Sequence, residues 1–133
     1  MSIYADIQSN VEMYLKANFT GYTICWDNIK FDPPSNVPWV RPTFLFAESF
    51  REEMTGLANT GQKFSGILDI QVFVPIGSAT HLVYKIGDTL LALFNETIIS
   101  GVVFFVPYLN RIGETPDDAW FQINVSCPFE YLT

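Results

Sequence analysis

Apolar residues recur at helical spacing in the first part of the chain. From residue 3 to residue 18 they fall mostly every three or four positions, which places them on one side of a helix. Ser2 stands just before this segment, where a hydroxyl can cap free backbone N–H groups, and Gly21 lies just past its end. The pattern predicts an amphipathic helix over residues 3–18.

The same spacing returns from Thr80 to about Asn95. Either Ser78 or Thr80 can cap the start of this second predicted helix. Gly87 lies in its interior, where glycine costs about 1 kcal/mol relative to alanine. We expect close packing of the helix on a sheet to compensate for that cost.

Five segments have the alternating or continuously apolar pattern of β-strands. They are residues 22–26, 39–48, 64–74, 102–109 and 120–131. Pro42 lacks an N–H group and predicts an edge position or a bulge in the second strand. The fourth strand is apolar on both faces and is predicted to be central, with a loop over residues 111–118 after it.

The predicted elements follow the order α-β-β-β-α-β-β. This order indicates a single α+β domain over residues 1–133, with one mixed or antiparallel β-sheet of about five strands and two helices packed on one face. The inward faces of the strands and the apolar stripes of the helices form the predicted core. The strand residues assigned to it are Val40, Phe44, Phe46, Phe64, Leu68, Ile70, Val72, Phe121, Ile123 and Val125.

Residues 49–63 form a polar, glycine-bearing connection between two of these strands. It is far longer than the roughly two to five residues of a hairpin turn, and such long connections are usually functional or disordered. We therefore expect an extended hairpin excursion that contacts a second subunit or a partner protein; an idle mobile loop is the alternative. The residues assigned to this contact combine charge with adaptable apolar side chains, and they are Arg51, Glu52, Glu53, Met54 and Leu57.

The charge distribution argues against a grip on nucleic acid. The net charge is −7, and the seven Lys and Arg residues are scattered singly, whereas DNA-binding proteins cluster their cations. An acidic wall past which DNA slides fits this composition, as does ordinary solubility. No apolar run reaches the roughly 18 residues of a membrane span, so no membrane partner is expected.

No catalytic, cofactor or metal site is predicted. His81 is the one histidine, and the two cysteines, Cys25 and Cys127, lie in separate apolar runs that predict plain buried thiols. Residues 61–66 have the glycines of a phosphate loop but lack its Gly-Lys-Ser/Thr ending and lead into a strand. The adjacent acidic pairs Asp117–Asp118 and Glu52–Glu53 predict solvated loop charges, with a weak divalent-cation site as the alternative.

Four stretches together resemble tail-terminator-like proteins of long-tailed bacteriophages. Residues 25–34 read CWDNIKFDPP, residues 39–44 WVRPTF, residues 63–77 KFSGILDIQVFVPIG, and residues 119–129 AWFQINVSCPF. Each stretch has a local explanation, such as Gly66 relieving crowding in a strand, and the joint order carries the resemblance.

The resemblance implies a non-enzymatic virion protein, assembled in the host cytoplasm and located at the head–tail junction. It implies a homo-oligomeric ring, a hexamer in this family, that caps the tail tube, offers a docking surface to the head connector and lets DNA pass through its lumen. The alternatives are another neck or tail protein, such as a head-closure or tube subunit, and a small-ligand-binding α+β domain. In that last case Trp26, Trp39 and Phe44 would line the pocket.

Overall fold

The structure is a computed structural model that describes residues 2–34, 36–47, 50–51, 62–78, 80–116 and 119–132, with backbone alone for residues 50–51. Two helices and eight strands occur in these residues. They are α1 (Ile3–Asn18), β1 (Thr23–Ile24), β2 (Trp39–Phe46), β3 (Phe50–Arg51), β4 (Gln62–Pro75), α2 (Thr80–Phe94), β5 (Ile98–Ile99), β6 (Val102–Phe104), β7 (Tyr108–Glu114) and β8 (Trp120–Leu132).

All the described strands belong to one sheet, in the order β1-β2-β4-β8-β6-β5, with β3 also paired to β4 and β7 to β8. The β1–β2 pair is parallel and the other pairs are antiparallel, so the sheet is mixed. The α+β class is confirmed. The predicted count of about five strands is wrong, because the described residues contain eight, and the element order is α-β-β-β-β-α-β-β-β-β.

The largest difference lies after β6. Residues 102–109 were expected to form one central strand and residues 111–118 a loop, but β6 ends at Phe104 and β7 runs from Tyr108 to Glu114. Pro107 stands between them and cannot donate to a ladder, which interrupts the strand. The central strands of the sheet are β4 and β8, which pair from Lys63–Leu132 to Pro75–Trp120.

Both helices cover the same face of the sheet. Their buried side chains and those of the covered strand face form one apolar cluster, and both helices begin and end close to their predicted bounds. The buried helix residues are Ile7, Val11, Leu15, Val83, Ile86, Leu90 and Phe94. The buried strand residues on this face include Val40, Leu68, Ile70, Val72, Ile123, Val125, Cys127 and Phe129.

One predicted core residue lies at the rim. Phe46 is 37% exposed at the end of β2, and its ring makes an edge-on contact with Tyr4 of α1 at a centroid distance of 4.7 Å. Ser2 occupies the position before α1, but its side chain makes no capping hydrogen bond. Tyr14 joins the two helices, because its hydroxyl donates to the carbonyl oxygen of Leu93 at 2.8 Å.

Two glycines permit close approach in the covered layer. A Cβ atom on Gly87 would lie 2.6 Å from Cδ1 of Leu109 and 2.9 Å from Cδ1 of Ile123, so α2 packs directly against β7 and β8. This confirms the close packing expected around Gly87. Gly66 likewise relieves crowding in β4, because its Cβ would meet the carbonyl oxygen of Leu45.

The opposite face of the sheet carries no helix in the described part of the chain. At one end, Trp39 stacks on Phe73 with a centroid distance of 4.1 Å, and Phe31 and Trp120 pack beside them. Cys25 completes this second, smaller apolar cluster. Toward the middle of the sheet the same face is polar. We call this uncovered side the open face.

Candidate functional site

The predicted contact residues lie almost entirely outside the described residues. Glu52, Glu53, Met54 and Leu57 are among them, and only the backbone of Arg51 is described. Arg51 lies in β3, opposite Gln62 of β4. The base of an extended hairpin is therefore present where it was expected, while the contact assigned to the five residues stays a prediction.

The candidate catalytic groups are separated from one another. His81 is exposed near the start of α2, whereas Cys25 and Cys127 are buried, unpaired thiols. Burial raises the pKa of the Cys127 thiol to about 12, with a smaller contribution from the nearby Asp69 carboxylate, so the thiol stays protonated and unreactive near neutral pH. Across the described residues, no three His, Cys, Asp or Glu side chains form a group that could hold a metal ion. Asp117 and Asp118 lie outside the described residues.

The structure contradicts the ligand pocket that the alternative, ligand-binding hypothesis placed between Trp26, Trp39 and Phe44. Side chains alternate between faces along a strand, so Trp39 and Phe44 of β2 lie on opposite faces of the sheet. Trp39 belongs to the small cluster on the open face, and Trp26 and Phe44 pack against the main core. The three side chains therefore line no common cavity.

A groove of about 500 Å³ runs along α1 beside the loop after Trp26. Met13 and Ile29 are 66% and 64% exposed at its walls. Gln8 donates a hydrogen bond to Glu12 at 3.0 Å within the same lining. Its mixture of amide, carboxylate and apolar groups is typical of a contact surface and does not form a catalytic constellation.

The open face carries paired polar side chains in the middle of the sheet. Ser126 donates a hydrogen bond from its hydroxyl to Asp69 Oδ1 at 3.2 Å, and Gln122 donates to Asn124 at 2.8 Å. Desolvation by burial raises the pKa of Asp69, and the hydrogen bond from Ser126 partly opposes this effect. The Asp69 carboxylate is partly buried on a face that no described layer covers. A partner surface packed against this face would remove more water from that carboxylate.

The ion pair on this face lies nearer the hairpin. Lys63 Nζ is 3.0 Å from Glu130 Oε2, and both side chains are about one-quarter exposed. Along β4 and β8 the open face carries the carboxyl groups of Asp69 and Glu130 and the amine of Lys63, and most of the positions between them are amides or hydroxyls.

Among the open edges of the sheet in the described part of the chain, two lie on β7 and β2. β7 pairs with β8 on one side, and no described strand pairs with its other side. β2 pairs with β1 through Trp39 and Val40, and beyond Val40 its outer side is likewise unpaired. This places Pro42 at an edge, as predicted.

Exposed apolar side chains flank both edges. Leu45 on β2 is 54% exposed, and Tyr108 and Ile112 on β7 are 47% and 51% exposed. An open edge with apolar neighbours is a template for strand pairing with another chain, and proteins normally protect such edges with charge or bulges. The β7 edge was not predicted, because residues 108–114 were assigned in part to a loop. The alternation of Leu109 with its polar neighbours was the feature of the sequence that indicated a strand there.

No described helix is long and apolar enough to cross a membrane.

The fold of the chain is shared with proteins of known structure. Twelve chains of solved structures match this one, and one of them superposes with a TM-score of 0.64 at 21% identity, over 96% of this chain and 92% of that chain. This likeness establishes the fold. No curated protein matches the chain.

The family comparison goes further than the fold. The model of the phage tail terminator protein family matches residues 2–129, which is nearly the whole chain. The match includes both helices and every described strand, including the open edges, although β8 continues past its end. The chain belongs to the phage tail terminator protein family, a family of structural proteins of the virion tail.

Proposed function

We propose that the protein terminates tail growth as a ring of identical subunits, a hexamer, that caps the end of the tail tube. The observation that carries this proposal is the family match over residues 2–129. The ring then offers its free side to the head connector, and DNA passes through the central lumen. The protein performs this role without catalysis, as an assembly component made in the host cytoplasm.

The mechanism is steric. Subunits bound at the end of the tube cover its growing surface and present no equivalent surface to the next tube subunit. A ring of heterologous contacts is finite, because the rotation between neighbours closes it after a fixed number of copies. The net charge of −7 and the largely uncharged polar open face suit a lumen that DNA must cross without adhering.

The hairpin formed by β2, β3 and β4 supplies a further contact in this proposal. Its residues Arg51, Glu52, Glu53, Met54 and Leu57 bind the tube protein or the adjacent subunit. Because β4 is held by both β2 and β8, the hairpin has a rigid base from which a contact can reach outward.

Electron microscopy of the purified protein mixed with tail tubes tests the capping role. We expect density at one end of each tube and no further elongation when tube protein is added. Density repeated along the tube would identify a tube subunit, and binding to the head connector with no affinity for tube ends would identify a head-closure protein. Either result would overturn the terminator assignment.

The hairpin contact is tested by replacing residues 52–61 with a tight Asn-Gly turn. The shortened protein should keep its melting temperature, because β2 and β4 remain paired, and it should fail to cap tubes. As a matched control, His81→Ala should fold and cap tubes normally. A shortened variant that still rescues a phage lacking its terminator would show that the hairpin contact is dispensable.

A further inference from the structure

We propose that the subunits join edge to edge through the sheet, with β7 of one copy pairing antiparallel to β2 of the next. This inference rests on the proposed ring, and it identifies the surface that builds it. The partner is a second copy of this chain because the two halves of the contact lie at opposite sides of the same sheet. A contact between two different edges of identical copies is heterologous, which is the type that generates rings.

The strand directions fit this junction. β2 is antiparallel to β4, β4 to β8, and β8 to β7, so β7 runs opposite to β2 within one subunit. When the next copy continues the sheet in the same orientation, its β2 therefore meets β7 in antiparallel alignment. The junction extends the pairing already used between the neighbouring strands.

The free backbone groups on β2 can be assigned from the pairing to β1. Cys25 donates its N–H to the carbonyl oxygen of Val40 at 2.7 Å, so Val40 points its backbone groups away from β4. The direction of the backbone N–H and C=O groups alternates along an antiparallel strand. The backbone groups of Phe44 and Phe46 therefore also point away from β4. Pro42 occupies an outward position too, which is why the strand tolerates a residue without an N–H group.

The same reasoning applies to β7. The N–H group of Phe105 donates to the carbonyl oxygen of Pro128 at 3.0 Å. The backbone groups of the even-numbered residues of β8 therefore point toward β6 and β7. Tyr108 lies opposite Ser126, and Asn110 lies opposite Asn124. The backbone groups of Tyr108 and Asn110 therefore form hydrogen bonds with β8. Leu109 then points its N–H and C=O groups outward.

The register that we propose satisfies the backbone groups and the faces at the same time. It places Leu109 opposite Phe44, with both sets of backbone groups pointing into the junction. Both side chains pack against the main core within their own subunits, so the apolar layer continues across the contact. The next position pairs Tyr108 with Leu45, two exposed side chains that both lie on the open face.

Two features at one end of this short stretch limit edge pairing. Pro42 removes one donor from β2, and the ladder between β7 and β8 shifts register between Arg111 and Gly113. Bulges and prolines restrict where an edge accepts another strand. They leave Thr43–Leu45 and Tyr108–Asn110 as the stretches that match in this register and disfavour slipped pairings.

Disulfide trapping tests the register directly. In the variant Leu45→Cys/Tyr108→Cys the two introduced thiols would face each other across the junction, at a non-hydrogen-bonded pair where side chains approach closely. Oxidation of assembled protein should give a ladder of covalent oligomers that ends at the closed ring and collapses on reduction. The native thiols do not interfere, because Cys25 and Cys127 are buried.

The matched control is Leu45→Cys/Leu109→Cys, whose thiols lie on opposite faces of the sheet and should give no ladder. Rings or capped tubes that form normally without a ladder from the first variant would overturn the edge contact and leave the capping function intact. Covalent dimers from Tyr108→Cys alone would also overturn it, because they would show β7 pairing with β7. Wild-type protein that forms no ring, even on tube ends, would overturn both proposals.

A charge variant gives an independent readout. Leu45→Lys should weaken self-association at least tenfold in light scattering, because lysine at an exposed edge opposes strand pairing. Ile76→Lys is the matched control, since Ile76 is 41% exposed but lies in the turn after the central strand β4. Both variants should melt like the wild type, and equal association of the two would contradict the edge contact.

Discussion

Gly66 leaves no room for a side chain beside Leu45. A Cβ atom at residue 66 would lie 2.6 Å from the carbonyl oxygen of Leu45 and 2.9 Å from the ring of Phe129. The first neighbour is backbone and cannot rotate away. The glycine therefore fixes how closely β2 lies against β4 at the end from which the hairpin extends.

Gly66→Ala should lower the free energy of unfolding by about 3 kcal/mol, at the upper end of what overpacking usually costs. For a chain of this size we expect the melting temperature to fall by roughly 10 °C. Differential scanning calorimetry measures both quantities. An unchanged melting temperature would mean that β2 can move away from β4 at no cost.

Gly87→Ala should be milder. The added Cβ would meet Cδ1 atoms of Leu109 and Ile123, which are the ends of side chains, and alanine recovers about 1 kcal/mol of helix propensity. We expect a net loss of about 1 kcal/mol, clearly less than for Gly66→Ala. Urea denaturation of the two variants side by side measures the difference. A larger loss at Gly87 would show that β7 cannot shift beneath α2.

Asp69→Asn should remove a pH dependence of stability. The pKa of Asp69 is raised in the folded protein by desolvation, so the folded state binds the proton more tightly than the unfolded state. Such a group favours folding below its unfolded pKa, and its contribution is lost as the pH rises through the folded pKa.

The wild type should therefore lose stability relative to Asp69→Asn as the pH rises above the ordinary range of an aspartate. Thermal melts between pH 4 and pH 8 measure this difference. Asparagine preserves the size of the side chain and can still accept a hydrogen bond from Ser126. A difference that does not change with pH would show that Asp69 titrates alike in both states.

Cys127 should resist alkylation until the protein unfolds. Its thiol is buried, and its pKa of about 12 leaves almost no thiolate at pH 8. Mass spectrometry after treatment with iodoacetamide should show no labelling of Cys127 in native buffer and complete labelling in denaturant. Rapid labelling in native buffer would mean that β8 opens readily. Protein whose thiols have been oxidised beforehand cannot react with iodoacetamide and serves as the blank.

The sequence pattern predicted the helices and the inward residues of β4 and β8 correctly, because strong periodicity over long segments determines which face is buried. Leu68 and Ile123 illustrate this, with no exposure of either side chain. The same pattern failed at residues 111–114, where polar residues and Gly113 resemble a loop. These residues form a strand because β8 supplies a partner, which is tertiary information that local propensity does not contain.

The ligand-pocket hypothesis failed for a different reason. Trp39 and Phe44 are an odd number of positions apart on one strand, so the alternation rule already separates their faces. The predicted contact residues in the hairpin were inferred from length and composition, and the structure describes the base of that hairpin but not its tip. Pro42 indicated the edge on β2, whereas the edge on β7 was not predicted, because an edge is defined by which strands are missing beside it.

The central pair of the sheet joins segments that are distant in sequence, since Asp69 on β4 and Ser126 on β8 are 57 positions apart. During synthesis, β4 pairs with β2 as a hairpin soon after it emerges, and its other side then waits for β8. Pairing at such separation is slow, on the order of milliseconds to seconds for sheets dominated by distant contacts. Because β7 is held in place by β8, the two edges of a subunit become available at different times. Nascent chains therefore expose the β2 edge before they possess a complementary β7 edge, and a ring that needs both edges of every subunit closes only after each subunit has finished folding.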